Sequence, residues 1–235
     1  MTTHTVLRPT MPKSTTEFRD AVRQQESLLA PLERRCLHWL ARRMPARVNP
    51  DHLTLLGFAA MFLVGVSYAL AQWWPPFLLV ANLWLAVNWF GDSLDGTLAR
   101  VRNRQRPRYG FYVDHIVDAF GTLFLISGLA ISGYMAEGVA FALLVAFFLL
   151  SINVYLATYT LGTFQLSFWK LSPTEARILL AVGNTVALVR PTVTVFGTHQ
   201  QLFDVAGVVA VISMAVVLVV SVVQNTLKLY RAERL

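Results

Sequence analysis

Asp92-Ser93-Leu94-Asp95-Gly96-Thr97-Leu98-Ala99-Arg100, followed after a basic loop by Gly110-Phe111-Tyr112-Val113-Asp114-His115-Ile116-Val117-Asp118, places four aspartates inside two of the most apolar stretches of the chain. An aspartate at the centre of a membrane helix costs about 2.5–3.5 kcal/mol, so four cost on the order of 10 kcal/mol before any relief. A bilayer protein carries that burden where something binds the carboxylates, and a divalent cation is the simplest candidate.

The surrounding composition is that of a membrane protein. Of 235 residues, 55% are hydrophobic and only 14% charged, with a mean hydropathy of +0.52; an ordinary soluble domain is far less apolar. The first 50 residues are polar and contain no apolar core segment, so no cleavable secretory signal is expected there. Cys36 is the only cysteine, which excludes an intrachain disulfide and thiol–metal clusters. The net charge of +7 raises nucleic acid as a partner. The distribution of that charge argues instead for anionic membrane lipids or a phosphate-bearing substrate, and no nucleic acid is expected.

About six apolar segments of spanning length follow one another near 53–72, 77–99, 109–133, 138–162, 175–197 and 204–227. The fifth is the weakest, because Arg190-Pro191 interrupts it. Nine of the 20 Lys and Arg precede residue 53, five lie in Arg100–Arg108, two flank the 163–177 connector and three close the chain. With six spans, that alternation puts both termini, the 100–108 loop and the 163–177 loop in the cytoplasm. Trp73 and Trp74 then fall at the outer interface, and Phe168 and Trp169 at the inner one. The expected architecture is an all-α polytopic membrane protein. Its cytoplasmic N-terminal segment, 1–50, precedes a transmembrane catalytic domain, 51–235.

Residues 31–46 read as an amphipathic surface helix. Pro31 suits the first helical turn, and Leu32, Cys36, Leu40 and Met44 recur four residues apart, while Arg34, Arg35, Arg42 and Arg43 carry the charge. The expectation is a helix lying on the inner leaflet, in preference to one that simply packs on the bundle, anchoring the chain rather than catalysing.

At roughly 100° per residue, Asn88, Asp92, Asp95, Gly96 and Ala99 fall within an arc of about 100° on the second span, and Gly110, Asp114, Asp118 and Gly121 within about 80° on the third. A short loop joins the two, so antiparallel neighbours with opposed acidic faces are expected. The small residues Gly96, Ala99, Gly110 and Gly121 share those faces and leave space for a ligand. Two blander readings compete. Intramembrane carboxylates also serve ion-coupled transporters, and Gly and Ala at this spacing often mean close helix packing. Four carboxylates beside a guanidinium and a basic loop suit an anion bridged to protein through metal, as in phosphoryl transfer.

Asp92-x-x-Asp95-Gly96-x-x-Ala99-Arg100…Gly110-x-x-x-Asp114-x-x-x-Asp118 closely resembles the motif of the CDP-alcohol phosphotransferases (CDP-alcohol phosphatidyltransferases), matching all eight of its positions. Asn49-Pro50-Asp51-His52-Leu53-Thr54-Leu55-Leu56-Gly57 resembles the stretch that opens their first span. One departure is the nine residues between Arg100 and Gly110, one more than usual; an insertion in a surface loop costs little but reshapes what lies beside it. The resemblance implies six membrane helices with an amphipathic cytoplasmic N-terminal helix, and a homodimer as one assembly. It further implies that Asp92, Asp95, Asp114 and Asp118 hold two divalent cations, Mg2+ or Mn2+, against the pyrophosphate of a CDP-alcohol. Gly96, Ala99, Arg100 and Gly110 would contact the CDP moiety. An acceptor alcohol, lipid or small, would attack the phosphorus and release CMP.

His115, about 60° round the helix from Asp118, lies toward the acceptor side and is a candidate general base, with Asp118 as the alternative. An Asp-His pair here is similar to the choline/ethanolamine phosphotransferases, which act on a CDP-aminoalcohol and diacylglycerol. Ser172-Pro173-Thr174-Glu175 likewise resembles the Gly-Pro-Thr-Glu run of that branch. The runner-up is a CDP-diacylglycerol-dependent transferase acting on a small polar alcohol; a cation transporter is the alternative of another class. Ser151, Tyr155, Thr158 and Gly162 recur at helical spacing on the fourth span and line either the cavity or a helix contact. Glu175 either reaches the donor headgroup or favours the dipole of its own helix.

Overall fold

The structure, a computed structural model, describes residues 30–161 and 172–233. Phe168, Trp169 and Gly162 fall outside them. Seven helices are present among the described residues: α1 (Ala30–Arg43), α2 (Pro50–Ala71), α3 (Phe77–Val101), α4 (Pro107–Ser132), α5 (Glu137–Leu161), α6 (Pro173–Val189) and α7 (Leu202–Ala232). Five of them, α2, α3, α4, α5 and α7, are long and apolar enough to cross a membrane. The protein is an all-α polytopic membrane protein.

Local chemistry sets the helix ends. α2 and α6 begin with proline, whose missing N–H is no loss in a first turn. Asn49 N–H donates to His52 Nδ1 at 3.3 Å, and Ser172 N–H donates to Glu175 Oε2 at 2.9 Å, so each residue at the third helical position reaches back over its own N-terminus. α3 ends on Asn103 at φ 52°. Arg104 N–H donates to Ala99 O at 2.9 Å and Asn103 N–H to Arg100 O at 3.1 Å, closing the last turn. α4 stops at Gly133, whose φ of 75° suits a residue without Cβ.

The segment read as a fifth span over 175–197 is shorter than expected. α6 has 17 residues and ends at Val189, a rise of about 25 Å against a hydrocarbon core of about 30 Å. Pro191 cannot donate to a helix and biases Arg190 towards extended backbone, where it stands at φ −138°. Thr192–Val195 (β1) and Thr198–Gln201 (β2) then form an antiparallel hairpin. Phe196 and Gly197 turn it with positive φ, and Phe196 is fully exposed.

The helices converge at one end. One core takes Val64 and Tyr68 from α2, Leu78 and Leu85 from α3, Leu125 and Leu129 from α4, Ala140 from α5, Ala187 from α6 and Phe203 from α7. A buried polar clasp runs through it. Tyr68 Oη donates to Asn184 Oδ1 at 2.9 Å, Asn184 Nδ2 to Asn82 Oδ1 at 2.7 Å, and Asn82 Nδ2 to Ala181 O at 3.1 Å. All of these residues lie in the halves of their helices remote from the aspartates.

At the opposite end, α1 packs on α2 and α3 through Leu37, Ala41, Leu53, Leu94 and Leu98. α1 begins one residue before the expected surface helix over 31–46 and ends three residues before its end; Leu37 and Ala41 face the bundle with Leu40 and Met44 partly buried beside them, while Leu32, Cys36 and Trp39 stay exposed. Two of the loop arginines are structural. Arg102 donates to the carbonyls of Met44 at 3.0 Å, Pro45 at 2.9 Å and Val48, and Arg106 pairs with Asp51.

Candidate active site

The two acidic helices do not pack on each other as their short connection suggested. Each packs instead against α2. Glycine permits both approaches: a Cβ at Gly91 would lie 2.6 Å from Leu53 O and 2.7 Å from Gly57 N, and one at Gly128 would lie 2.7 Å from Gly65 Cα. With α2 as the shared wall, the acidic faces of α3 and α4 border a cleft rather than a helix–helix seam.

The four carboxylates share this cleft electrostatically. Asp95 feels the charge of Asp92 one turn away on its own helix and that of Asp114 on α4, and Tyr155 of α5 feels those of Asp114 and Asp118. Asp92, Asp95 and Asp114 are half-buried and Asp118 is exposed. Asp95 is held by Thr54 of α2, whose hydroxyl donates to Oδ2 at 2.6 Å, and by the Gly96 N–H. Asp92 is held by Arg177 of α6, whose Nη2 donates to Oδ2 at 2.6 Å. As the side chains stand, no three acidic, His or Cys groups among the described residues are gathered closely enough to hold an ion. In donor chemistry the set still fits: four hard anionic oxygen donors on two facing helices match Mg2+ or Mn2+ and no softer metal. Asp92 and Asp95 would have to turn from Arg177 and Thr54 to serve.

The small residues divide into two kinds. A Cβ at Gly110 would meet nothing within 4 Å, and one at Gly96 would touch only the Arg100 guanidinium, 3.6 Å away. These two border open space. Gly121 does not: its Cβ would lie 3.2 Å from Met61 Cγ, so this glycine serves α2–α4 packing rather than a cavity. Ala99 is half-buried on the same helical face as Asp92 and Asp95. Arg100 folds back along α3, with Nη2 donating to Thr97 Oγ1 at 3.2 Å, and is exposed at the cleft's end.

His115 lies against α5. Its ring stacks on Phe111 with centroids 4.1 Å apart and meets Tyr155 edge-on at 4.9 Å. Nδ1 lies 2.7 Å from Phe111 O. A carbonyl only accepts, so Nδ1 carries the proton of the neutral ring and the basic lone pair resides on Nε2. Asp114 Oδ2 is 3.8 Å from the same Nδ1. Of the α5 polar residues, Tyr155 joins the site; Thr158 donates to Val154 O within its own helix at 2.8 Å. Glu175 closes the N-terminus of α6 as a helix cap.

A family profile for CDP-alcohol phosphatidyltransferases matches residues 47–223, three quarters of the chain. The chain belongs to this family. Among curated proteins it is similar to an archaetidylinositol phosphate synthase of Pyrococcus horikoshii, 28% identical over 104 residues, which are 44% of this chain and 52% of the relative. The chain therefore spans about half the length of that relative. The family is named for CDP-alcohol phosphatidyltransfer and is generally dependent on divalent metal.

Three residues that the motif does not contain hold the site together. Arg177 contacts Asp92, and Asn88 accepts from Arg177 Nε at 2.8 Å while its Nδ2 donates to Gly57 O at 2.9 Å. Glu33 of α1 accepts from Trp89 Nε1 at 2.9 Å and Thr174 Oγ1 at 2.6 Å, tying α1 to α3 and α6. The signal for Arg177 was present in the sequence: Thr174, Arg177 and Asn184 are polar at spacings of three and seven along an apolar helix, which marks one face.

Proposed function

We propose that the cleft between α3 and α4 transfers a substituted phosphoryl group from a CDP-alcohol to an acceptor alcohol and releases CMP. The observation that carries this reading is the division of the glycines: Gly96 and Gly110 flank open space beside four carboxylates, whereas Gly57, Gly65, Gly91, Gly121 and Gly128 fill helix contacts. Asp92, Asp95, Asp114 and Asp118 would hold two divalent cations, which would neutralise the pyrophosphate and the charge on the leaving CMP. Gly96, Ala99 and Gly110 would leave room for the nucleotide, and Arg100 at the cleft's end would pair with its phosphate oxygens. Nε2 of His115 would take the acceptor hydroxyl's proton as its oxygen attacks the donor-side phosphorus and the bond to CMP breaks. Asp118, if it ligates a cation, is the weaker base. The basic residues gathered at this end of the bundle support a cytoplasmic site, where CDP-alcohols would be met.

His115 beside the cleft favours a CDP-aminoalcohol donor and a diacylglycerol acceptor. The alternative is a CDP-diacylglycerol donor with a small polar alcohol as acceptor, and the likeness to a protein named for making archaetidylinositol phosphate favours it. Purified protein offered CDP-choline, CDP-ethanolamine and CDP-diacylglycerol with a panel of acceptors separates the two. CMP release only from the aminoalcohol donors supports the first, and release only from CDP-diacylglycerol replaces it with the second. Metal-dependent cation flux without CMP release would replace both with a transporter.

A further inference from the structure

Arg177 is held on the wall of the cleft by more than the carboxylate it pairs with. Its Nε donates to Asn88 Oδ1 at 2.8 Å, and Asn88 is itself buried and fixed through Gly57 O on α2. Thr174, one turn earlier on α6, is bonded to Glu33. The guanidinium is therefore tethered through α2, α3 and α1 whether or not Asp92 is available. Its Nη2 takes Asp92 Oδ2 at 2.6 Å, with both side chains largely shielded from solvent, and its buried Nη1 finds no hydrogen-bond partner among the described residues. One end of the cation is anchored, another occupies a carboxylate, and the third has no partner among the described residues. A group that served packing alone would be expected to satisfy that third nitrogen.

We infer that Arg177 is a tethered counter-ion of Asp92 that competes with a divalent cation for this carboxylate and so weakens cation binding until an anionic donor arrives. The inference rests on the proposed cation-binding role of the aspartates. A fixed positive charge beside Asp92 does two things before loading: it offsets repulsion from Asp95 and Asp114, and it opposes entry of a second positive charge. A pyrophosphate brings the negative charge that reverses this balance. Cation and nucleotide would then bind cooperatively, each lowering the cost of the other.

The test is Mn2+ binding to the full-length, detergent-solubilised protein, read from the free Mn2+ resonance signal, with and without CDP. Without nucleotide, Arg177→Gln should bind Mn2+ about tenfold more tightly than the wild type, because a neighbouring positive charge is removed. Arg177→Lys, which keeps the charge, should stay near the wild type. Arg177→Met repeats the charge removal with an apolar stem, so poor folding of one variant does not decide the outcome. A residue needed only for structure would weaken binding when replaced. Equal or weaker Mn2+ binding by both uncharged variants overturns the counter-ion role while leaving the cation reading in place. Failure of the wild type and the variants alike to bind Mn2+, even with CDP, overturns the cation reading and this inference with it.

Discussion

Alanine at Gly91 should cost stability and alanine at Gly110 should not, although both impair activity, and the structure sets the size of each effect. A Cβ at Gly91 would meet Leu53 O at 2.6 Å, Gly57 N at 2.7 Å and Gly57 Cα at 2.9 Å. All three are backbone atoms of α2, so no side chain can swing away. Helices α2 and α3 would have to part by on the order of 1 Å in a packed interface. Overpacking of this kind costs about 1–3 kcal/mol, offset by up to about 1 kcal/mol of improved helix propensity. The midpoint of thermal unfolding should fall by a few degrees, at about 2–4 °C per kcal/mol for a chain of this size. Asp92 is the next residue and Asn88 bonds to Gly57 O, so the same shift moves the acidic face, and activity should fall about 10²-fold. At Gly110 a Cβ meets nothing within 4 Å. Gly110→Ala should leave Tm unchanged or slightly raised, yet raise KM for the CDP-alcohol about tenfold or more, because the added methyl enters ligand space. Thermal unfolding and CMP-release kinetics on both variants check this. A Gly110→Ala enzyme with ordinary kinetics, or a Gly91→Ala protein with undiminished stability, would refute the division of the glycines.

Other consequences are narrower. Arg100→Lys should weaken use of the CDP-alcohol markedly, since a planar fork pairs with phosphate oxygens in a way an ammonium does not, whereas Arg104→Lys in the loop should matter little; equal losses in kcat/KM would reduce both to general positive charge. His115→Ala should lower kcat by roughly 10²–10⁴-fold with nucleotide affinity little changed, and ordinary turnover at saturating substrate would pass the base role to Asp118. Glu33→Ala removes the acceptor of the Trp89 and Thr174 hydrogen bonds and should cost about 1–3 kcal/mol; limited proteolysis near α1 should quicken, and unchanged cleavage would show that Leu37 and Ala41 hold the helix alone.

The spans and the acidic face were legible because both follow short-range rules. Apolar runs of bilayer length mark helices, and a rotation of about 100° per residue puts Asp92 and Asp95, or Asp114 and Asp118, on one side. Pro191 was visible as an interruption, but the hairpin behind it depends on Phe196 and Gly197 adopting positive φ, which an apolar run of Val and Thr does not announce. That α2 stands as the wall between α3 and α4 was not legible, for a different reason. A short loop limits the distance between helix ends, not what lies between their faces, and the Gly57–Gly91 and Gly65–Gly128 approaches draw both helices onto α2. Gly121 illustrates the same limit, since spacing alone does not distinguish a glycine facing Met61 from one facing a ligand. Arg177 reads in sequence as loop charge, because its partners, Asn88 and Asp92, are more than 80 residues away.

The most direct measurement is CMP release from a CDP-alcohol by the purified protein, with Mg2+ or Mn2+ and after chelation, for the wild type and for Asp114→Asn. Metal-dependent release is expected from the wild type and none above background from Asp114→Asn, with the variant still inserted and as stable as the wild type, because the carboxylate serves as a ligand rather than in packing. Release that persists after complete removal of divalent metal, or a variant that turns over at the wild-type rate, would contradict that role.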